Sequence, residues 1–245
     1  MRSIAATLPG GYRIEEHAHG WAQLVYAISG AMTVRTADAA WVVPPRRAVW
    51  MPAATPHAIE AATALSLRTL YLAPSLCNTL PTGCRVLPVS GLLRELVLHV
   101  VEAGHLRGEH DADARLARVL ADRIAVSDPS PLRLAMPADE RARRVAERIL
   151  ASPGADASAD ELAAGSGAST RTIQRLFRRE AGMTLSKWRQ RARLLHAVTL
   201  LAEGRSVGQV ADACGYRSAS AFVSMFRLEM GRTPRSYREH ADGGA

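Results

Sequence analysis

The chain has 245 residues, 48% of them apolar, and a formal net charge of +8. That is material for one large or two ordinary domains with real cores, and no run approaches the roughly eighteen apolar residues that cross a membrane as a helix. Its three cysteines, Cys77, Cys84 and Cys214, fit a reducing compartment, and the first two are spaced wrongly for a structural zinc site.

The opening stretch MRSIAATLPGGYRIEEHAHG lacks a basic region followed by a long apolar core, which predicts no signal peptide and a cytoplasmic protein. Residues 12 to 73 then read as short strands broken by Pro and Gly: QLVYAIS, AMTVRTA, AWVVPP, RAVWMP, HAIEAA and LSLRTLYL. Short strands with frequent turns predict an antiparallel sandwich or barrel. The spacing changes to helical over 91–107, with Leu92, Leu93, Leu96, Val97, Val100 and Val101 on one stripe. A second helix is predicted near 112–126, carrying Leu116, Val119, Leu120 and Ile124. The stretch SDPSPLRLAMP carries three prolines and places a linker at 128–138.

Beyond the linker the pattern is helical and the charge concentrates. From Asp139 onward 18 basic side chains stand against 12 acidic ones, and all but one of the basic residues are arginine. The first 138 residues hold 13 against 11. Planar guanidinium groups suit a phosphate-bearing partner. Aromatic residues, at 5%, are too few for single-strand binding by stacked bases.

A repeat organises this half. FRREAGMTLSKWR (177–189) and FRLEMGRTPRSYR (226–238) share six identities in thirteen positions without a gap, and Trp188 answers Tyr237. One supersecondary unit used twice is the natural reading. In the first copy SADE (Ser158 to Glu161) is a capping box, and Ser169 caps a second helix whose inward residues are Ile173, Leu176 and Phe177. In the second, Ser206 and Ser218 are the caps, with Phe222 and Phe226 inward. Two short helices about a tight Gly turn make a helix-turn-helix. The strut between the copies buries Trp188, Leu194, Leu195, Val198 and Leu201. At about eighteen residues it spans roughly 27 Å, which suits two recognition helices about one DNA turn, roughly 34 Å, apart.

With those residues in place, the segment 139–240 resembles the DNA-binding domain of the AraC/XylS transcription regulators; ACGYRSASAFVSMFRLEMGRTPRSYR is very close to that family's signature. The resemblance implies a seven-helix domain that binds double-stranded promoter DNA. It puts base-reading positions of the first unit on Arg171, Gln174 and Arg175, with Ser169, Thr172 and Arg178 on the same surface. The matching face of the second unit holds Ser218, Ala219, Ser220, Val223, Ser224 and Arg227. Arg pairs with guanine and Gln with adenine, whereas the short side chains of the second face suit positioning on the backbone.

In the front half, His17, His19, Gln23 and Gly30 stand in the spacing H-x-H-x3-Q-x6-G, and PAATPH sets Pro52 five residues before His57. Both stretches resemble the two motifs of the cupin barrel, with Gln23 where that motif has Glu and Ala54 where it has Gly. In metal-binding cupins those positions supply three imidazoles and a carboxylate to a divalent ion. Imidazoles suit Zn, Ni, Cu or Fe. The amide at Gln23 leaves three readings open: a divalent metal site, a His-lined effector pocket, or polar packing.

Together the expectation is an α+β chain: a cupin-type antiparallel β sensor domain at 1–90, a helical pair at 91–127 as the candidate dimer contact, the linker, and a tandem helix-turn-helix DNA-binding domain at 139–240. The implied function is a promoter-binding regulator that responds to a small effector or metal, a homodimer, with RNA polymerase as a partner if it activates. It has no catalytic residues. The alternative is a cupin metalloenzyme of the dioxygenase type with an accessory DNA-binding tail, against which the missing carboxylate counts. A sequence-indifferent nucleoid protein is disfavoured by Gln174 and Arg175, and a DNA-repair methyl acceptor by the packed position of Cys214.

Overall fold

The computed structural model describes residues 1–107, 110–127 and 132–242. It divides into two compact units, Met1–Thr36 with Trp41–Arg133, and Ala37–Ala40 with Leu134–Gly243.

The front unit is built on strands β1 (Arg2–Leu8), β2 (Arg13–His17), β3 (Ala22–Ser29), β4 (Met32–Arg35), β6 (Arg47–Met51), β7 (His57–Ala61), β8 (Leu65–Leu72) and β9 (Arg85–Pro88), while β5 (Ala39–Val43) and β10 (Arg133–Ala135) each have residues in both units. They form two five-stranded antiparallel sheets, β1-β8-β3-β6-β9 and β10-β5-β4-β7-β2. The six apolar stretches of the sequence are β3 to β8, the inner strands of both sheets. β10 falls inside the stretch expected to be a linker, of which residues 128–131 lie outside the described residues. Gly30 turns β3 into β4 at φ 77, and a Cβ there would stand 2.1 Å from the Ala64 carbonyl oxygen, so no other residue fits.

Helices α1 (Gly91–Ala103) and α2 (Asp111–Ala125) belong to the same unit. Ser90 caps α1 by accepting from the Leu93 amide. Leu93, Leu96, Val97, Val100, Leu120 and Ile124 join Tyr26, Trp50 and Leu70 in one core cluster. The expected stripes need correction at two positions: Leu92 is 54% and Val119 43% exposed, because each points away from the sheet that buries its neighbours.

The second unit holds seven helices among the described residues: α3 (Glu140–Ala151), α4 (Ala159–Ala163), α5 (Thr170–Glu180), α6 (Leu185–Ala202), α7 (Val207–Ala213), α8 (Ala219–Met230) and α9 (Pro234–Asp242). Ser158, Ser169, Ser206 and Ser218 are the N-caps of α4, α5, α7 and α8, and Ser158 and Ser206 close full capping boxes with Glu161 and Gln209. Each cap is worth about 1 kcal/mol.

The repeat now has a physical meaning. Phe177 packs edge-on against Trp188 at 5.4 Å, and Phe226 against Tyr237 at 5.5 Å. Gly182 and Gly231 end α5 and α8 at φ 69 and 71, and Thr184 and Thr233 cap α6 and α9 by accepting from Lys187 and Ser236 amides. Arg189 donates to the Ala157 carbonyl at 2.5 Å and Arg238 to the Arg205 carbonyl at 3.4 Å, in each copy the residue just before the serine cap of the unit's first helix. Glu180 accepts from the Ala138 and Asp139 amides, and Glu229 pairs with Lys187.

The first unit's entry loop is also clamped. Arg193, one turn after Arg189 on α6, donates to the Pro153 and Ala155 carbonyls. Gly154 lies backbone against backbone on the turn after α7: a Cβ on Gly215 would stand 2.2 Å from the Gly154 oxygen.

Candidate DNA-reading surface and effector site

On α5 the apolar face Ile173, Leu176 and Phe177 is fully sunk, which turns Arg171, Gln174, Arg175 and Arg178 outward. Among the described residues none of these four side chains has a hydrogen-bond or ion-pair partner. That separates them from Arg144, Arg148, Arg189 and Arg193, whose guanidinium groups are tied to backbone carbonyls within the domain. Ser169 and Thr172 sit at the start of the same helix with their hydroxyls 3.0 Å apart.

On α8 Phe222, Met225 and Phe226 are buried, leaving Ala219, Ser220 and Ser224 exposed and Val223 half-buried. The Ser218 hydroxyl is already engaged as the helix cap and lies 3.2 Å from that of Ser220. Arg227 is exposed and lacks a side-chain partner among the described residues, as its repeat-mate Arg178 does. Cys214 is buried in the turn, and burial pushes its thiol up to about 12, so it is no nucleophile.

In the front unit His17, His19 and His57 do converge, one ring nitrogen of each lying within 4.8 Å of the others. His17 and His57 are direct cross-strand partners on β2 and β7, with ring centroids 4.4 Å apart. β2 ends at His17, and His19 lies in the connection to β3. The Ala54 amide holds that connection by donating to the His19 carbonyl at 2.8 Å. Ala54 does so at φ 59, where a Cβ costs about 1 kcal/mol and glycine would be unstrained.

Each histidine turns its Nδ1 to a backbone carbonyl: His17 to Glu15, His19 to Trp21, His57 to Thr55, at 2.8–2.9 Å. A carbonyl only accepts, so each Nδ1 carries a proton, and in the neutral ring the lone pair falls to Nε2. His57 is buried, and its Nε2 has no hydrogen-bond partner among the described residues. Burial first, then the neighbouring His17 and His19, push the His57 pKa down and hold the ring neutral. Gln23, buried on β3, brings Oε1 to 3.2 Å from His19 Nε2 and donates from Nε2 to the Tyr71 hydroxyl at 3.3 Å. Three imidazole acceptors with carbonyl-fixed tautomers, one of them buried and orphaned, fit a divalent ion of the Zn, Ni, Cu or Fe class.

Three side chains of this region are absent from the sequence reading. Arg2, Trp21 and Tyr71 line, with His19, Ser3 and Ile4, a cavity of about 380 Å³ beside the histidines. Tyr71 is the β8 register partner of Gln23 on β3, a signal hidden until the strands are paired.

Comparison with known proteins agrees with both halves. The AraC-like ligand binding domain family matches residues 3–185, and a helix-turn-helix domain family matches residues 162–240. The chain belongs to the AraC family of transcription regulators. The HTH-type transcriptional regulator NimR of Escherichia coli (strain K12) is 32% identical over 221 residues, 90% of this chain and 81% of that protein. The HTH-type transcriptional regulator RipA of Corynebacterium glutamicum is 33% identical over 132 residues, 54% of this chain and 38% of its own length. A crystal structure of a transcriptional regulator with an AraC-type DNA-binding domain from Chromobacterium violaceum is 29% identical, with a TM-score of 0.41 over 43% of this chain and 95% of that one. This AraC-type regulator is therefore a DNA-binding protein with a ligand-binding domain, in a class that is not enzymatic. No helix among its described residues is long and apolar enough to cross a membrane.

Proposed function

We propose that this AraC-type regulator reads its promoter mainly through α5 and uses α8 mainly to hold position. The contrast between the two outward faces carries the reading: α5 presents four long donors without partners, and α8 presents Ala219, Ser220, Val223 and Ser224. Arg171, Gln174 and Arg175 supply bidentate base contacts. Arg178 and Arg227, equivalent in the repeat, supply phosphate contacts, with Ser169, Thr172 and Ser218 at the helix starts. Residues 139–240 act as the DNA-binding domain and residues 1–90 as the sensor, with 91–127 as the dimer contact through the faces that expose Leu92 and Val119. The protein works in the cytoplasm, and at an activated promoter RNA polymerase is its further partner.

The sensor's effector site is formed by His17, His19, Gln23 and His57, and it holds a divalent ion. The ion would supply a fixed positive charge and open coordination positions for an effector; the three imidazoles would hold it through Nε2, with the Glu15, Trp21 and Thr55 carbonyls keeping the proton on each Nδ1. Two experiments test these roles. Selection of full-length protein on random duplexes is expected to return a preferred site whose binding weakens steeply with salt; enrichment without any preferred sequence overturns base reading. Elemental analysis of protein prepared without a His tag or chelator is expected to find one ion per chain, lost in His17→Ala and His57→Ala. No ion, with normal induction in both variants, reduces the histidines to packing.

A further inference from the structure

Gln23 and His19 meet in a way that neither can satisfy alone. His19 donates from Nδ1 to the Trp21 carbonyl, so its Nε2 is an acceptor, and it faces the Gln23 Oε1, another acceptor, at 3.2 Å. A positive charge between them, an ion or a proton on Nε2, removes the conflict in the orientation seen. Turning the amide over removes it without any charge: Gln23 Nε2 then donates to His19, and Oε1 accepts from the Tyr71 hydroxyl. The two orientations treat Tyr71 differently. With Oε1 toward the histidines, Gln23 donates to the Tyr71 oxygen at 3.3 Å and leaves the phenolic proton unused. With the amide reversed, the Tyr71 hydroxyl donates to Gln23 Oε1, and the His19 lone pair, accepting from Gln23 Nε2, is lost to any ion.

Tyr71 and His19 both form walls of the 380 Å³ cavity, which is within the range of small-molecule sites. The remaining walls say what the cavity suits. The Arg2 guanidinium lies 5.4 Å over the Trp21 ring and has no carboxylate partner among the described residues. One guanidinium and one phenolic donor match a single carboxylate, and Ile4 and Trp21 offer an apolar surface to its hydrocarbon part.

We propose that Gln23 couples an ion held by His17, His19 and His57 to a small carboxylic acid in the adjoining cavity, so that each ligand tightens the other. This rests on the ion-holding reading above and adds the chemical class of the effector and the route of coupling. With Gln23 Oε1 turned toward the site that would hold the ion, the Tyr71 hydroxyl is left to donate a hydrogen bond to the acid's carboxylate, and Arg2 would complete the anion site. By linkage the acid must favour the ion by the same factor as the ion favours the acid.

Titration of the full-length protein with Co(II), followed by its visible absorption, tests this. Acetate, benzoate and phenylacetate, each against its uncharged amide, serve as probes. At least one acid is expected to lower the Co(II) dissociation constant about five-fold or more, with its amide inert. Tyr71→Phe and Arg2→Ala are expected to bind Co(II) as the parent does and to lose the enhancement. Gln23→Glu is expected to bind Co(II) more tightly, because the site gains a carboxylate, and also to lose the enhancement, because its oxygens always accept from Tyr71. An amide role limited to packing predicts neither change. Failure of the parent to bind Co(II) overturns the ion reading itself. Co(II) binding that no acid alters, or an enhancement that survives in Gln23→Glu, overturns the coupling alone.

Discussion

In the first helix-turn-helix unit Phe177 packs on Trp188, and in the second Phe226 packs on Tyr237, at nearly equal distance and angle. The left-handed glycines, the threonine caps and the carbonyl-seeking arginines recur with them. The outward faces share little: Arg171, Gln174 and Arg175 on one, Ala219, Ser220 and Val223 on the other. Five of the six identities are therefore records of packing, capping and internal pairing. The sixth, Arg178 with Arg227, is exposed in both copies and has no side-chain partner in either among the described residues. A repeat thus separates what the scaffold requires from what a ligand can select, and the leftover identity points to the one DNA feature common to every site, the phosphate chain.

The comparison can be broken hardest at the turn glycines. Gly167 and Gly215 follow Ala163 and Ala211 by four residues in the two units and share a positive φ, 81 and 72. Only Gly215 is also jammed against backbone, at Gly154. Gly215→Ala is expected to destabilise the protein by about 3 kcal/mol, from left-handed strain plus overpacking, and Gly167→Ala by about 1 kcal/mol. Urea unfolding midpoints measure both; equal losses would mean that the loop at Gly154 gives way.

Next in size is the reading of bases. Arg175→Ala is expected to weaken operator binding by about 1–3 kcal/mol and relax preference at one position, while Ser220→Ala leaves specificity as it was. Site selection with each variant checks this, and a changed preference in Ser220→Ala with none in Arg175→Ala reverses the assignment. Below that come the repeat-mates: Arg178→Ala and Arg227→Ala should each reduce the salt slope of binding by about one, without altering which sequence is chosen.

The regularities that exposed this architecture were those that local chemistry writes into adjacent residues. Strands β3 to β8 were legible because inner strands are buried on long apolar runs; the edges β1 and β2, which bury no residue fully, and β9 and β10, only four and three residues long, carried no comparable signal. The serine caps and the buried phenylalanines were legible for the same local reason. What pairing creates was not: the bond from Gln23 to Tyr71 spans 48 residues and depends on the register of β3 with β8. His19 reached its site by a turn pinned at Ala54 rather than by strand alternation, which spacing alone does not distinguish. Leu92 and Val119 looked like core because helical period marks a stripe, and only the packed sheet sets how wide that stripe is.

The smallest expected effect concerns the strut that joins the two copies. Burial lowers the pKa of His196 on α6 from its ordinary 6.5. The unfolded chain then takes up the proton more readily than the folded one, so the contribution of this group is whole above pH 6.5 and declines below it. The loss stays under about 1.4 kcal/mol for each unit by which the pKa is lowered. His196→Gln should flatten that part of the stability profile between pH 5 and 7, as read by thermal melts across buffers.

Lys187 holds the start of α6 to Glu229 near the end of α8, and it is the sole lysine in the chain. Arginine guanidinium groups do not react with ordinary acylating reagents, so an amine-directed dye or cross-linker has one side-chain target in the whole molecule. Its attachment needs no engineered cysteine. The rate of acylation at Lys187, with and without operator duplex, becomes a direct report on how often the junction between the two copies comes apart.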